Sequence, residues 1–148
     1  MRSKLISKLM SIPAGMIFLG IASMPALADT REHQADELAR FKQYAGAPVD
    51  DFRMVDVFQT QIVGDWNVIV WPTINTAYLI TVDKTCAKLE WAKGFVVTQE
   101  TSMRVTKTFD FITLDHQRCK IIEIRPVDYK AMLKDDKAKT PAAQGGGT

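Results

Sequence analysis

Apolar and polar residues change their rhythm three times along the chain. The first 28 residues open with Arg2, Lys4 and Lys8, and Leu9 to Ala28 then carries no charge. The apolar centre is Met16-Ile17-Phe18-Leu19-Gly20-Ile21-Ala22, and the segment ends Pro25-Ala26-Leu27-Ala28. A positive start, an apolar middle and small residues at the last positions make a secretory signal pattern, with cleavage expected after Ala28. The uncharged run is just long enough to span a bilayer. Pro13, Gly15, Gly20 and Pro25 interrupt it, so cleavage is expected rather than a retained anchor. Charges break every later apolar run, and no membrane span is expected after signal removal.

The second rhythm is helical. Ala35, Leu38, Phe41 and the adjacent Tyr44 recur at helical spacing, which predicts a helix from Asp29 to Tyr44. Asp29 or Thr30 is placed to cap it, and Glu32 lies in the first turn, where the helix dipole favours an anion. Gly46 and Pro48 end it.

From Phe52 onward the period shortens to two. Phe52–Phe58 and Trp66–Trp71 are rich in strand formers, and Thr76–Val82 alternates Tyr78, Ile80 and Val82 against Ala77, Leu79 and Thr81. The last two runs flank Pro72–Asn75 and predict a β-hairpin with a four-residue loop. Trp66 and Trp71, five apart, fall on opposite faces of a regular strand. Ala87 to Ala92 reads as one short helical turn with Leu89 inward. Phe95–Thr98, Met103–Thr106 and Phe109–Thr113 are further short strands, and Asp115-His116-Gln117 is a polar turn. In Arg118–Arg125, Cys119, Ile121 and Glu123 alternate with Lys120, Ile122 and Ile124, and Pro126 is expected to stop the strand.

The expected fold is mainly β: a small antiparallel β-barrel or curved sheet of six to seven strands, with one N-terminal helix and a disordered C-terminal tail. No long helical pattern separates the strands, which disfavours a parallel βαβ sheet. The expected organisation is a signal peptide at 1–28, a helix and linker at 29–47, a β-domain at 48–130 and a flexible tail at 131–148. Asp128–Lys139 is charged and weakly helical, and the Gly-rich end has nothing to bury.

Composition changes this picture in two places. The chain has 19 basic and 17 acidic residues, a net charge of +2, but the residues after Ala28 carry 16 and 17. The basic excess belongs to the N-terminus, which argues against a nucleic-acid partner. Cys86 and Cys119 are the only cysteines, with 32 residues between them. In an exported chain such a pair is expected to bridge, stabilising the fold by roughly 3–4 kcal/mol in the loop-closure model. The spacing is unlike that of a Cys-x-x-Cys redox pair.

Candidate chemistry is sparse. His33 and His116 lie in different segments and no Cys/His cluster has ligand spacing, so neither metal nor cofactor is expected. No nucleophile motif, phosphate loop or paired-carboxylate signature is found, and an enzyme is not expected. Asp110, between Phe109 and Phe111, is expected to be partly buried against Arg104, Arg118 or Arg125. A hydrolytic role with His116 is the least favoured alternative. Glu123, Arg125 and Asp128 are expected to form a surface charge network. Trp66, Trp71, Tyr78 and Trp91 are the aromatic candidates, because aromatic rings on a sheet grip sugars, peptides or apolar ligands, and Trp71, Tyr78 and Trp91 are the expected ligand-binding residues.

The chain resembles a bacterial family of small exported proteins of unknown function. The resemblance rests on Phe41, Tyr44-Ala45-Gly46, Pro48-Val49, Trp66, Val68–Trp71, Asn75, Ala77-Tyr78-Leu79, Cys86, Leu89, Phe109-Asp110 and Cys119–Asp128. It implies a periplasmic or secreted all-β domain. Many members of that family look like lipoproteins, and this chain differs in having no cysteine near the signal end. The functional expectation is a non-enzymatic binding module of the cell envelope, its partner an envelope protein or a small ligand. The alternative is a carrier or sensor of a small apolar ligand that uses the aromatic residues on the sheet.

Overall fold

The computed structural model describes residues 26–139 apart from 87, 88, 90, 91, 100–102 and 116, and for 26–29 the backbone alone. Helix α1 is Ala26–Gln43. It begins ahead of the expected caps, so Asp29 and Thr30 lie within it. Arg40 and Lys42 sit in its last turn, at the negative end of the dipole. It closes where the N–H groups of Tyr44 and Ala45 reach back three residues to the carbonyls of Phe41 and Lys42. Leu38, Phe41 and Tyr44 pack inward as expected, whereas Ala35 is exposed.

Eight strands follow among the described residues: β1 Asp51–Arg53, β2 Gln59–Ile62, β3 Asn67–Thr73, β4 Thr76–Val82, β5 Val96–Val97, β6 Arg104–Thr106, β7 Phe111–Leu114 and β8 Gln117–Val127. Six of them form one antiparallel sheet in the order β2-β3-β4-β8-β7-β5, curled into a half-barrel. The other two, β1 and β6, pair as a separate ribbon. Of the expected strand Phe52–Phe58 only Phe52 and Arg53 are in a strand, and 54–58 run irregularly to β2. After β1, the Met54 N–H bonds the Met103 carbonyl at 2.9 Å, and Val55, Val57 and Phe58 are exposed before β2 begins. Strand propensity there is overridden by the ribbon's own pairing.

The β3–β4 hairpin forms where alternation predicts it, with a tighter turn. Thr73 pairs with Thr76, leaving Ile74 and Asn75 as the turn. The register shifts between Val70 and Thr73, so Trp71 and Pro72 together oppose Ala77. Proline lacks the N–H of a regular ladder and is tolerated at such a bulge.

Strand β8 departs from the expected pattern twice. Thr81 pairs with Glu123, but Val82 pairs with Ile121, so Ile122 is an extra residue bulged out of the ladder. The bulge resets the alternation. Cys119, Ile121 and Ile124 all face the half-barrel interior, and Glu123 and Arg125 face out. Nor does Pro126 stop the strand. Its missing N–H is no loss to the flanking segment, because the Pro126 carbonyl accepts the Gly46 N–H at 2.8 Å and pairing continues through Val127 to Ala45.

The sheet buries both faces. Inside lie Val68, Val70, Ile80, Val82, Ile112, Ile121 and Ile124, closed over by Phe52 and Val105 of the ribbon and by Leu89. Outside, Ile69, Trp71, Ala77, Leu79 and Val127 meet Phe41 and Met132. Met132 belongs to α2, Tyr129–Lys139. Residues 131–139, expected in the flexible tail, are thus most of a docked helix. Asp128 caps it, accepting the Ala131 N–H at 3.0 Å. Arg40 pairs with Asp136, and the Tyr44 hydroxyl donates to Asp135 at 2.6 Å, tying α1 to α2. The expected turn at 87–92 lies mostly outside the described residues, though Leu89 is fully buried.

Cys86, just past β4, bridges Cys119 of β8 with their Cα atoms 5.6 Å apart. Both are buried, so the bond fastens the loop after β4 to the strand beside it.

Candidate functional site

The outer face of the sheet grades from apolar to polar in successive rows across β3, β4 and β8. The first row, Trp71, Ala77 and Val127, is covered by the helices. The next is Ile69, Leu79 and Arg125, and the third is Asn67, Thr81 and Glu123. Past the end of α1 these last two rows floor an open cleft of about 520 Å³. That volume lies within the range of small-molecule sites, roughly 300–1,000 Å³.

Each wall is fixed by local chemistry. Lys42 and Ala45 come from the end of α1. Trp66, the residue before β3, packs against the interior cluster and also lines the cleft. Lys84 sits 5.7 Å above the Trp66 ring, a cation–π placement. The turn that carries Lys84 is held by Asp83, whose carboxylate accepts the Thr85 N–H at 2.7 Å. The Thr85 hydroxyl and N–H together hold the Asp83 carboxyl below its ordinary value. On the floor, Asn67 Nδ2 donates to Thr81 Oγ1 at 2.9 Å, which leaves the Thr81 O–H able to donate onward. Arg125 donates through Nε to Glu123 and through a terminal nitrogen to the Gly46 carbonyl at 3.4 Å.

A second hollow of about 370 Å³ continues from Trp66 and Asn67 under the N-terminal half of α1, between Leu38 and the turn at Gly64. Gly64 has a φ of 138°, and a Cβ there would lie 3.2 Å from Leu38 Cδ2. Glycine is required for the backbone shape as well as for the close approach of the helix.

Of the sequence-predicted residues, Trp66, Glu123 and Arg125 line this cleft, whereas Trp71 and Tyr78 do not. Trp71 is 3% exposed, set edge-on to Phe41 and Tyr129 with ring centroids 5.8 Å away in each case. Its indole N–H is buried without an acceptor among the described residues. Tyr78 is on the opposite face, half-buried and stacked on Phe52 at 4.1 Å. Trp91 and His116 lie outside the described residues, and Ala28, the expected cleavage position, lies in the first turn of α1. Trp66 and Trp71 do serve opposite faces, as their spacing predicts.

Asp110 is 1% exposed and accepts from the Thr106 N–H at 2.6 Å and the Thr106 hydroxyl at 2.9 Å, closing the turn between β6 and β7. Two of its expected arginine partners have carboxylates of their own: Arg104 pairs with Asp51 and Arg125 with Glu123. Arg118 lies over the Phe111 ring at 4.2 Å. The expected charge network keeps Glu123 and Arg125 but gives Asp128 to α2 as its cap. Among the described residues no three His, Cys, Asp or Glu side chains gather where an ion would be held.

Lys42, Asn67, Thr81 and Lys84 were not singled out by sequence. The signal that would find them is polar residues on the Leu79 face of two paired strands, Asn67 beside Thr81, where the rest of that face is apolar.

A family model matches residues 9–143, and its family is described as one of unknown function, DUF6491. No curated protein and no solved structure matches the chain.

Proposed function

The chain belongs to the DUF6491 family, whose function is unknown, and from the broad cleft on the sheet's outer face we propose that it is a non-enzymatic binding module of the bacterial cell envelope. The observation that carries this reading is the break in helix cover over the sheet. The apolar row Trp71, Ala77 and Val127 is covered by α1 and α2, the mixed row Ile69, Leu79 and Arg125 is covered in part, and the polar row beside it is left open with cations at its rim. A sheet face meant only for packing would continue apolar beneath a helix or turn uniformly polar toward water. A face that is apolar on one side, polar on the other and concave is the anatomy of a recognition site.

The inward face is packed with aliphatic side chains, which favours the outer cleft over the sheet interior as the ligand position. A disulfide, with no described helix long and apolar enough to cross a membrane, is compatible with an exported protein.

The test is site-specific photocrosslinking in living cells. A photoreactive residue at Ala45 or Glu123, both lining the cleft, is expected to give a discrete adduct, and one at Lys107 or Val96, away from the cleft, is not. Equal labelling at all four positions, or labelling at the remote ones alone, would overturn the reading.

A further inference from the structure

Resting on the cleft as a binding site, we infer that its ligand is an anion on a short apolar stem, a phosphate or carboxylate headgroup carried by an alkyl or similar group. Three cations border the cleft, Lys42, Lys84 and Arg125, against one carboxylate, Glu123. Glu123 is already engaged by Arg125 on the same strand. Neither Lys42 nor Lys84 meets a carboxylate among the described residues, although the chain after Ala28 has more acids than bases. Two ammonium groups from separate elements thus face one concavity with their charge uncompensated.

The floor supplies the rest of a headgroup site. The Thr81 hydroxyl accepts from Asn67 and so has its own proton to offer an anionic oxygen. Charge-assisted bonds of this kind are the stronger class. Beside them Leu79, Ala45 and Trp66 line the same cleft. An inorganic anion has no use for that apolar wall, and a neutral apolar ligand has none for the two ammonium groups. A molecule with both parts uses the whole cleft.

The experiment is calorimetric titration of the protein as it accumulates in expressing bacteria. The probes are octyl phosphate, octanoate, inorganic phosphate and octyl glucoside, all below their micelle concentrations. The two anionic amphiphiles are expected to bind at least tenfold more tightly than octyl glucoside, and more weakly as salt rises. Binding of inorganic phosphate as tight as that of octyl phosphate would remove the stem and leave a headgroup site alone. Lys42→Gln with Lys84→Gln is expected to weaken octyl phosphate at least tenfold, while Lys42→Arg with Lys84→Arg retains it. Both lysines are on the surface, and unchanged far-UV circular dichroism would exclude a folding effect. Octyl glucoside binding as tightly as octyl phosphate, no binding of either anion, or an unaffected double Gln variant would overturn the inference. Photocrosslinking at Ala45 with no anion preference would sink the ligand class and leave the binding site standing. Anion binding without crosslinking would do the reverse.

Discussion

Deleting Ile122 asks whether the bulge in β8 is needed only to set register. In the native register Ile121 and Ile124 both point inward, although an odd step separates them, because Ile122 is pushed out of the ladder and is 44% exposed. Without it Glu123 follows Ile121 directly, and Val82–Ile121 and Thr81–Glu123 are consecutive pairs of a regular ladder. Ile121 and Ile124 then stand two apart and both stay inward, while Glu123 and Arg125 stay outward. The pairing with β7 and the disulfide are kept as well. What is lost is the added local twist of the bulge and the part-burial of one isoleucine, which costs less than the roughly 1.5–3 kcal/mol of full burial. The deletion is therefore expected to keep cooperative urea unfolding with a loss under about 2 kcal/mol, and Ile122→Thr, which keeps the bulge, to cost under about 1 kcal/mol. Far-UV circular dichroism and tryptophan emission through a urea series measure both. A deletion variant that no longer unfolds cooperatively would refute the reasoning.

Four further outcomes are expected. Phe41→Ala empties a site 2% exposed beneath Trp71 and is expected to lose about 3–5 kcal/mol in urea unfolding; a loss below 1 kcal/mol would mean that α1 contributes little to the fold. Asp110→Ala leaves the Thr106 N–H and hydroxyl without their buried acceptor, and a stability loss of about 1–3 kcal/mol by thermal unfolding is expected. Gly64→Ala forces an L side chain into positive φ against Leu38, and a loss above about 1 kcal/mol is expected from the same measurement. The Asp83 carboxyl is held below its ordinary value by Thr85, so the stability it contributes is present above about pH 3.9 and lost as pH falls through its lower folded value. NMR titration of the Asp83 carboxyl and the Thr85 amide reads it, and a midpoint at or above 3.9 would contradict the hydrogen bonds.

Alternation alone carries most of the fold. Tyr78, Ile80 and Val82 share one face of β4 and Ala77 and Leu79 the other, as their period requires, and the two cysteines meet. What alternation does not carry is register. The expected four-residue loop pairs Trp71 with Thr76 and Val70 with Ala77, whereas Val70 pairs with Tyr78, and Trp71 and Pro72 together oppose Ala77. The two closures differ by one residue in register, and that is enough to change which side chains share a face. Helix α2 is faint in the sequence for a different reason: Met132 is its one buried side chain, and its position is fixed by the Asp128 cap, the Arg40–Asp136 ion pair and the Tyr44–Asp135 hydrogen bond. Such partners are distant in sequence and leave no period.

The same register argument links the fold to the cleft. Strand β8 serves β7 through Gln117–Lys120 and β4 from Ile121 onward. The bulge at Ile122 falls where the partner changes, and there increased local twist helps the sheet curl. Its second effect is chemical. By shifting the alternation one residue, it sends Ile124 into the core and turns Glu123 and Arg125 out beside Thr81 and Leu79. Without that shift the outer face would carry Ile124 where Arg125 now stands, and the polar row would lose its carboxylate. The bulge that lets the half-barrel close is therefore also what charges the floor of the cleft. A change that draws Ile122 back into the ladder alters curvature and recognition together, whereas a substitution at Lys42 or Lys84 alters recognition alone.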